Sequence, residues 1–190
     1  MQRNPQGNPS SGGLSNPDFN QLPSCGDFDM RIARDGTWFY RGSPIGRKPL
    51  VKLFSTVLRL EDGEFWLVTP VERGKILVDD APFTAVEVTA SGRGKDQILV
   101  FRTNVDDEVT AGPANPLRVS YHRKDQEPSP YVMVRRGLEA LILRSVFYHL
   151  VELGEMREVE GMEQLGVWSG GVFFPLGAIH APEHTGRQGA

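Results

Sequence analysis

The feature that most constrains the fold is a change in hydrophobic period at Gly63. After this glycine, apolar residues alternate with polar ones in short runs, as Val86 and Val88 do, which is typical of half-buried strands. Prolines, glycines and aspartates separate the runs at hairpin spacing. The pattern favours an antiparallel sheet over βαβ winding and predicts strands at residues 64–69, 75–78, 83–90 and 97–103.

Before Gly63, apolar residues recur at helical spacing. Pro49 suits the first position of a helix, and Gly63 is a typical glycine beyond a helix C-terminus. We therefore predict the first helix between these two residues. Its apolar face is expected to be Leu50, Leu53, Phe54, Val57 and Leu58, opposite Lys52, Ser55, Thr56 and Arg59.

The second half of the chain again combines strand patterns with one helix pattern. Strands are predicted at residues 109–111, 117–121, 131–134 and 166–176, and an exposed loop at 123–130. A second helix is predicted at about 137–153, with Ile142, Leu143, Val146, Phe147 and Leu150 on its apolar face. Its other face mixes Leu141, Arg144, Ser145, Tyr148, His149 and Glu152. That face either packs between two layers with its polar groups paired, or forms a ligand or subunit interface.

The two ends of the chain differ in composition from the rest. Residues 1–24 are rich in Asn, Gln, Pro, Gly and Ser, and residues 180–190 in Gly, His and charge, so we predict a disordered leader and a disordered tail. The net charge of −3 argues against nucleic-acid binding. No apolar run is long enough for a membrane span, and the single cysteine, Cys25, excludes an intramolecular disulfide. We expect a cytoplasmic protein that binds neither nucleic acid nor membrane.

An internal echo indicates duplication. Gly36-Thr37-Trp38 and Gly166-Val167-Trp168 are each followed by glycine, aromatic residues and a proline with an aliphatic neighbour. Both tryptophans are predicted to begin a strand and to be buried at equivalent places. The predicted fold class is α+β, with two similar β-rich domains of mostly antiparallel strands and one main helix each. The domains are expected at residues 25–104 and 105–179, joined near 104–116.

Motifs that suggest catalysis or metal binding have simpler interpretations. Residues 180–184 have an HxxEH spacing, but a proline interrupts them in a loose tail, where a zinc helix is not expected. Residues 91–95 (SGRGK) lack the spacing of a phosphate-binding loop and join two strands. Cys25 borders the leader, and the acidic residues at 79–80 and 106–108 are typical turn formers. No catalytic residue, metal site or cofactor is predicted.

Several longer segments carry a family resemblance. They are residues 35–45 (DGTWFYRGSPI), 67–72 (LVTPVE), 80–83 (DAPF), 115–119 (NPLRV), 130–135 (PYVMVR), 137–140 (GLEA), 168–169 (WS) and 173–177 (FFPLG). Together, over about residues 26–177, they resemble the bacterial family of proteins of unknown function called DUF1285. The resemblance implies domain duplication and a second domain superficially like a pleckstrin-homology fold. It also implies a ligand site between the domains that suits a nucleotide-like molecule, and a role in signalling, but it supplies no catalytic residues.

We therefore expect a non-enzymatic module that binds a small anionic, nucleotide-like ligand in the interdomain cleft. The expected site residues are Arg47, Thr69, Arg118, Tyr131 and Arg135. The arginines would bind phosphate through their guanidinium groups. Tyr131 would stack on a base, and Thr69 would add a hydroxyl group.

Two other hypotheses stay open. A protein-interaction adaptor or self-associating protein would use the mixed face of the second helix, including Leu141, Ser145, Tyr148 and Glu152. An enzyme, the least supported hypothesis, would need titratable groups such as His149 or Asp80 in a shared cleft.

Overall fold

The computed structural model describes residues 22–121 and 128–178. These residues form two six-stranded sheets, one three-stranded sheet and two α-helices. The predicted tail, residues 123–127 of the predicted loop and all but the last three residues of the predicted leader lie outside the described residues. In this part of the chain, neither helix is long and apolar enough to cross a membrane.

The first sheet contains two antiparallel meanders. Its strands are β1 (Ser24–Ile32), β2 (Trp38–Tyr40), β3 (Ser43–Pro44), β4 (Leu58–Glu61), β5 (Glu64–Val68) and β6 (Arg73–Val78), in the order β3-β2-β1-β6-β5-β4. The parallel pair β1 and β6 joins the meanders, with Arg31 opposite Leu77. Helix α1 (Lys48–Thr56) connects β3 to β4.

The second sheet has the same topology. Its strands are β7 (Phe83–Ser91), β8 (Ile98–Thr103), β9 (Glu108–Thr110), β10 (Leu117–Tyr121), β11 (Pro128–Arg135) and β12 (Leu138–Ile142), in the order β10-β11-β12-β7-β8-β9. Again the first strand lies parallel to the last, with Leu141 opposite Thr84. Two units of six strands with one shared topology confirm the predicted duplication and the mostly antiparallel pairing.

The chain then leaves the second sheet. Helix α2 (Arg144–Glu152) follows β12. The three-stranded sheet is formed by β13 (Glu155–Val159), β14 (Met162–Ser169) and β15 (Val172–Ala178), in sequence order. The likeness of the second domain to a pleckstrin-homology fold stays a prediction.

The repeated units are not the ones that the tryptophan echo indicated. Trp38 lies in β2, whose topological counterpart is β8, whereas Trp168 lies in β14 of the three-stranded sheet. Both side chains are buried, with exposed fractions of 1% and 8%. The six-stranded sheets divide between Val78 and Phe83, so the predicted join near residues 104–116 falls inside the second sheet.

The prediction that the first helix continues to Gly63 is wrong. The helix ends at Thr56, and the chain turns back at Asp62 and Gly63, with φ angles of 51° and 79°, as expected for an Asp-Gly hairpin. The predicted helix face is also shifted, because Leu53 is 61% exposed and Ser55 is buried. Ser55 tolerates burial since its hydroxyl donates to the Lys52 carbonyl over 2.7 Å.

The second predicted helix begins too early. Residues 138–142 form β12, which pairs with β7 on one side and β11 on the other. Leu141 is therefore a buried strand residue and not part of a helix face, whereas Val146 and Leu150 are buried on α2 as predicted. The predicted exposed loop is likewise wrong at its end, because β11 begins at Pro128 and Ser129 is buried.

One continuous apolar core joins the two sheets and both helices. Its members include Ile32 and Trp38 of the first sheet, Phe83 and Phe101 of the second, and Leu150 of α2. Hydrogen bonds of Asn104 also connect the two units: its Nδ2 donates to the Gly36 carbonyl over 3.2 Å, and its Oδ1 accepts from the Thr84 amide over 3.1 Å. The relative position of the two sheets is thus fixed by packing and by hydrogen bonds.

Candidate ligand site between the two sheets

A cavity of about 330 Å³ opens where the two six-stranded sheets meet. The first unit contributes the end of α1, all of β4, the last residue of β5 and the following residues 69 and 70, and the second sheet contributes the β11–β12 turn. We call this space the interdomain cleft. Its volume is at the lower end of the roughly 300–1,000 Å³ that is usual for small-molecule sites.

The cleft has a basic lining. Arg59 of β4 and Arg135 and Arg136 of the β11–β12 hairpin line it, together with one carboxylate, Glu61. Val57 and Leu60, which are half-buried, and the exposed Pro70 supply accessible apolar surface. Convergent cations beside an apolar wall suit an organic anion.

Arg135 is held firmly by the protein. Its Nη1 pairs with Asp107, and its Nη2 donates to the Ser55 carbonyl at the end of α1 over 2.7 Å. The guanidinium also lies 5.0 Å from the centre of the Phe83 ring. Arg135 therefore ties α1 to the second sheet, in addition to lining the cleft.

Arg59 and Arg136 are available for a ligand. Among the described residues neither one forms an ion pair. Arg136 and Gly137 form the tight turn of the hairpin, with φ angles of 44° and 80°, and a side chain at Gly137 would meet Leu60 at 3.3 Å. The close approach of this turn to β4 brings the two arginines to one cleft.

Sequence reasoning missed Arg59 because it placed this residue on the polar face of a longer helix. The alternation Leu58-Arg59-Leu60-Glu61 carries the correct signal. Read with a period of two, it puts Arg59 and Glu61 on one face of a strand, and both line the cleft.

Of the five predicted site residues, the structure brings Thr69 and Arg135 to the cleft. Thr69 folds a tight turn, donating to the Glu72 carbonyl over 2.9 Å and accepting from its amide over 3.1 Å. Arg47 lies at the opposite end of α1, and a nine-residue helix separates the two ends by about 13 Å.

Arg118 and Tyr131 form a separate cluster. Arg118 stacks on the Tyr131 ring, 4.1 Å from its centre, and binds both carboxylate oxygens of Glu139. Tyr131 is 3% exposed and donates to Asp80 over 2.7 Å. Neither the covered ring nor the occupied guanidinium is placed to contact a ligand in the cleft.

The environment of Tyr131 changes its acidity. Burial, reinforced by the hydrogen bond to the Asp80 carboxylate, raises the pKa of Tyr131 to about 12. The phenol is therefore a fixed hydrogen-bond donor at neutral pH, and Asp80 accepts from it while pairing with Arg34.

The residues whose motifs suggested catalysis or metal binding lie in different parts of the structure. Cys25 is exposed and donates to Glu72, which raises the pKa of the thiol. Residues 94–96 form a short 3₁₀ turn between β7 and β8, and His149 is exposed on α2. Residues 180–184 lie outside the described residues, within which no group of three or more His, Cys, Asp or Glu could hold a metal ion.

The charged turn residues form ion pairs. Asp79 binds Arg31, which lowers the pKa of the Asp79 carboxyl. Asp106 pairs with Lys48 over 2.8 Å, which lowers the pKa of the Asp106 carboxyl. These contacts join neighbouring turns and strands across the surface.

Comparison with known proteins extends the resemblance over nearly all described residues. Residues 19–81 match the N-terminal domain of DUF1285, described as a domain of unknown function, and residues 82–176 match the C-terminal domain of DUF1285, described as a protein of unknown function. The boundary between the two domains coincides with the division between the six-stranded sheets.

Two solved structures are similar to this chain. A DUF1285 family protein from Silicibacter pomeroyi DSS-3 is 52% identical with a TM-score of 0.79, over 84% of this chain and 85% of that one. A DUF1285 family protein from Shewanella baltica OS155 is 25% identical with a TM-score of 0.51, over 65% of this chain and 90% of that one. No curated protein matches the chain.

Proposed function

The chain belongs to the DUF1285 family, and we propose that it is a non-enzymatic module that binds a small organic anion, of the nucleotide class, in the interdomain cleft. The observation that supports this most is the meeting of Arg59 and Arg136 from two different sheets at one cavity. Because both arginines would hold the ligand, its binding would depend on the relative position of the two sheets. A signalling module needs such a coupling between ligand binding and conformation.

The lining favours an anion that also carries an apolar group. Guanidinium groups bind phosphate and carboxylate through paired, charge-assisted hydrogen bonds. Val57 and Leu60, which are half-buried, and Pro70, which is exposed, lie on the remaining wall and would pack against a ring or an aliphatic body. A mononucleotide combines both parts.

The same lining supports a binding function over catalysis. Among the described residues that line the cleft, the titratable groups are three arginines and Glu61, without histidine or cysteine. General acid–base and nucleophilic catalysis need groups with a pKa near neutrality, or an activated nucleophile. We place the protein in the cytoplasm as part of this proposal.

The test is calorimetric and thermal titration with adenosine monophosphate, using adenosine and inorganic phosphate to separate the two halves of the ligand. We expect adenosine monophosphate to raise the melting temperature through mass action. Arg59→Gln and Arg136→Gln should each weaken binding roughly tenfold or more, because each removes charge-assisted hydrogen bonds.

Arg47→Gln is the matched control for Arg136→Gln, since both arginines are exposed and Arg47 lies outside the cleft. It should bind adenosine monophosphate as the wild type does. If adenosine monophosphate gives no saturable binding, or if Arg47→Gln weakens it as much as Arg136→Gln does, the proposed cleft site is wrong.

A second candidate is a protein-interaction surface on α2. Tyr148 is 57% exposed and Val151 is also exposed, and both lie on this helix with Ser145 and Glu152. Light scattering at increasing protein concentration tests self-association through this face. A rise in mass that Tyr148→Ala abolishes would favour this candidate, whereas a constant monomer mass would count against self-association.

A further inference from the structure

A second cavity, of about 300 Å³, lies at the other end of the β11–β12 hairpin. The interdomain cleft is at the hairpin turn, whereas this cavity is lined by residues 128–130 at the start of β11 and by residues 141–144 at the end of β12. We call it the hairpin-end cavity. Arg34 and the first residues of α2 complete its wall.

Two cations from different elements line the hairpin-end cavity. Arg34 comes from the turn between β1 and β2, and Arg144 is the first residue of α2. Its described lining residues include no aspartate or glutamate. Guanidinium groups from two elements therefore line the cavity, and one of them, that of Arg34, also pairs with Asp80.

Arg34 is exposed, and its guanidinium contacts less exposed polar side chains. Its Nη2 donates to Ser129 Oγ over 3.0 Å, and its Nε lies 3.1 Å from Asp80 Oδ2. Asp80 in turn accepts from Tyr131 over 2.7 Å. The hydrogen bond to Ser129 and the ion pair with Asp80 orient the guanidinium, and its third nitrogen, Nη1, takes part in neither contact and can serve an anion.

The rest of the wall is apolar and partly aromatic. Phe147 and Tyr148 of α2 face the same space as Leu141 and the prolines at 128 and 130. The Tyr148 ring is 57% exposed, so a flat ring could cover it and gain from the removal of apolar surface from water.

We propose that the hairpin-end cavity is a second binding site, which takes a small aromatic anion, with its phosphate or carboxylate group at Arg34 and Arg144 and its ring against Phe147 and Tyr148. The site is separate from the interdomain cleft and does not depend on the function proposed for it. The β11–β12 hairpin contributes residues to both sites.

The test is titration with phenyl phosphate, followed by calorimetry and by amide chemical shifts. Inorganic phosphate supplies the anion without the ring, and benzyl alcohol supplies the ring without the anion. We expect phenyl phosphate to bind more tightly than either, with shifts at Leu141, Leu143 and residues 144–148. Arg34→Gln and Arg144→Gln should each weaken binding roughly tenfold or more, and Tyr148→Ala should weaken it by a smaller factor.

Arg136→Gln is the control, because Arg136 lines the interdomain cleft and not the hairpin-end cavity. Equal binding by wild type and Arg136→Gln, with loss in Arg144→Gln, would support the second site. Binding that Arg136→Gln abolishes, or that Arg144→Gln and Tyr148→Ala leave unchanged, would overturn it, as would no saturable binding. If Arg34→Gln fails to fold because Asp80 loses its partner, the other two variants decide the outcome.

Discussion

At the scale of single residues, the aromatic side chains of Trp38, Trp168 and Tyr131 are buried and contribute to packing. Trp38 stacks on Phe54 of α1 with ring centres 6.2 Å apart. Trp168 donates from its indole nitrogen to Glu155 and lies edge-on to Phe173, with ring centres 5.4 Å apart. Tyr131, expected to stack on a ligand, is instead buried beside Asp80. Their residue types predict that these side chains contribute to the core or to a site. Their contact partners, however, are distant in the sequence, and a local sequence pattern does not identify them.

The first prediction concerns the two buried tryptophans. Trp38→Ala and Trp168→Ala should each lower the free energy of unfolding by about 3–5 kcal/mol, since each leaves a large cavity. Trp66→Ala should cost less, because Trp66 is only half-buried in β5. Chemical denaturation of the three variants measures the difference. A cost under about 1 kcal/mol at Trp38 or Trp168 would contradict the observed burial.

The second prediction concerns the titration of Tyr131. Folding raises its pKa from 10.0 to about 12, so at pH values between these two the unfolded chain loses this proton and the folded chain keeps it. Stability that depends on Tyr131 is therefore fully present below pH 10 and is lost as the pH rises through 12. At about 1.4 kcal/mol per pH unit, the loss is about 2–3 kcal/mol.

Absorbance of the phenolate groups and denaturation as a function of pH measure this effect. In the wild type, one tyrosine should ionise only at high pH. This step should be missing from the absorbance titration of Tyr131→Phe and present in that of Tyr148→Phe. The stability difference between wild type and Tyr131→Phe should shrink as the pH rises above 10. A difference that is constant or grows in this range would show that the Tyr131 phenol is not protected.

At the scale of elements, sequence patterns gave the strands more accurately than the helices. The strand at 117–121 was predicted to the residue, and those near 64–69 and 83–90 within one residue. Both helices were predicted too long, because Leu58 to Leu60 and Leu138 to Ile142 have apolar residues that fit a helix and a buried strand equally well. In the structure these residues are strands because residues 58–60 pair with β5, and residues 138–142 pair with β7 and β11.

The position of the candidate site between the domains was predicted from the sequence, and so were Thr69 and Arg135 as site residues. Arg59 was not predicted, because its place in the cleft follows only when α1 ends before it.

The third prediction concerns the turn between β1 and β2. Gly36 has a φ angle of 85°, and a Cβ there would lie 2.6 Å from Asn104 Nδ2. Gly36→Ala should therefore strain the backbone and displace Asn104 from its bonds to both sheets, at a cost of about 1–3 kcal/mol. Gly46→Ala is the control, since a Cβ at Gly46 meets nothing within 4 Å. Equal stability of the two variants would contradict the role of this turn.

At the scale of the whole molecule, duplication explains both the fold and the position of the cleft. Each unit is a six-stranded sheet whose first and last strands are parallel neighbours, and the two units share one apolar core. The cleft forms where an edge strand of the first sheet, β4, meets a hairpin turn of the second. A ligand there would bridge the two copies, at a cavity that neither copy forms alone.

The most direct test of the central claim is to map adenosine monophosphate on the protein by amide chemical shifts. We predict that the shifts concentrate in residues 58–61 of β4 and residues 135–138 of the β11–β12 turn, and that Arg136→Gln removes them. Shifts confined to α2, to the hairpin-end cavity or to no defined surface would contradict the assignment of the interdomain cleft as the ligand site.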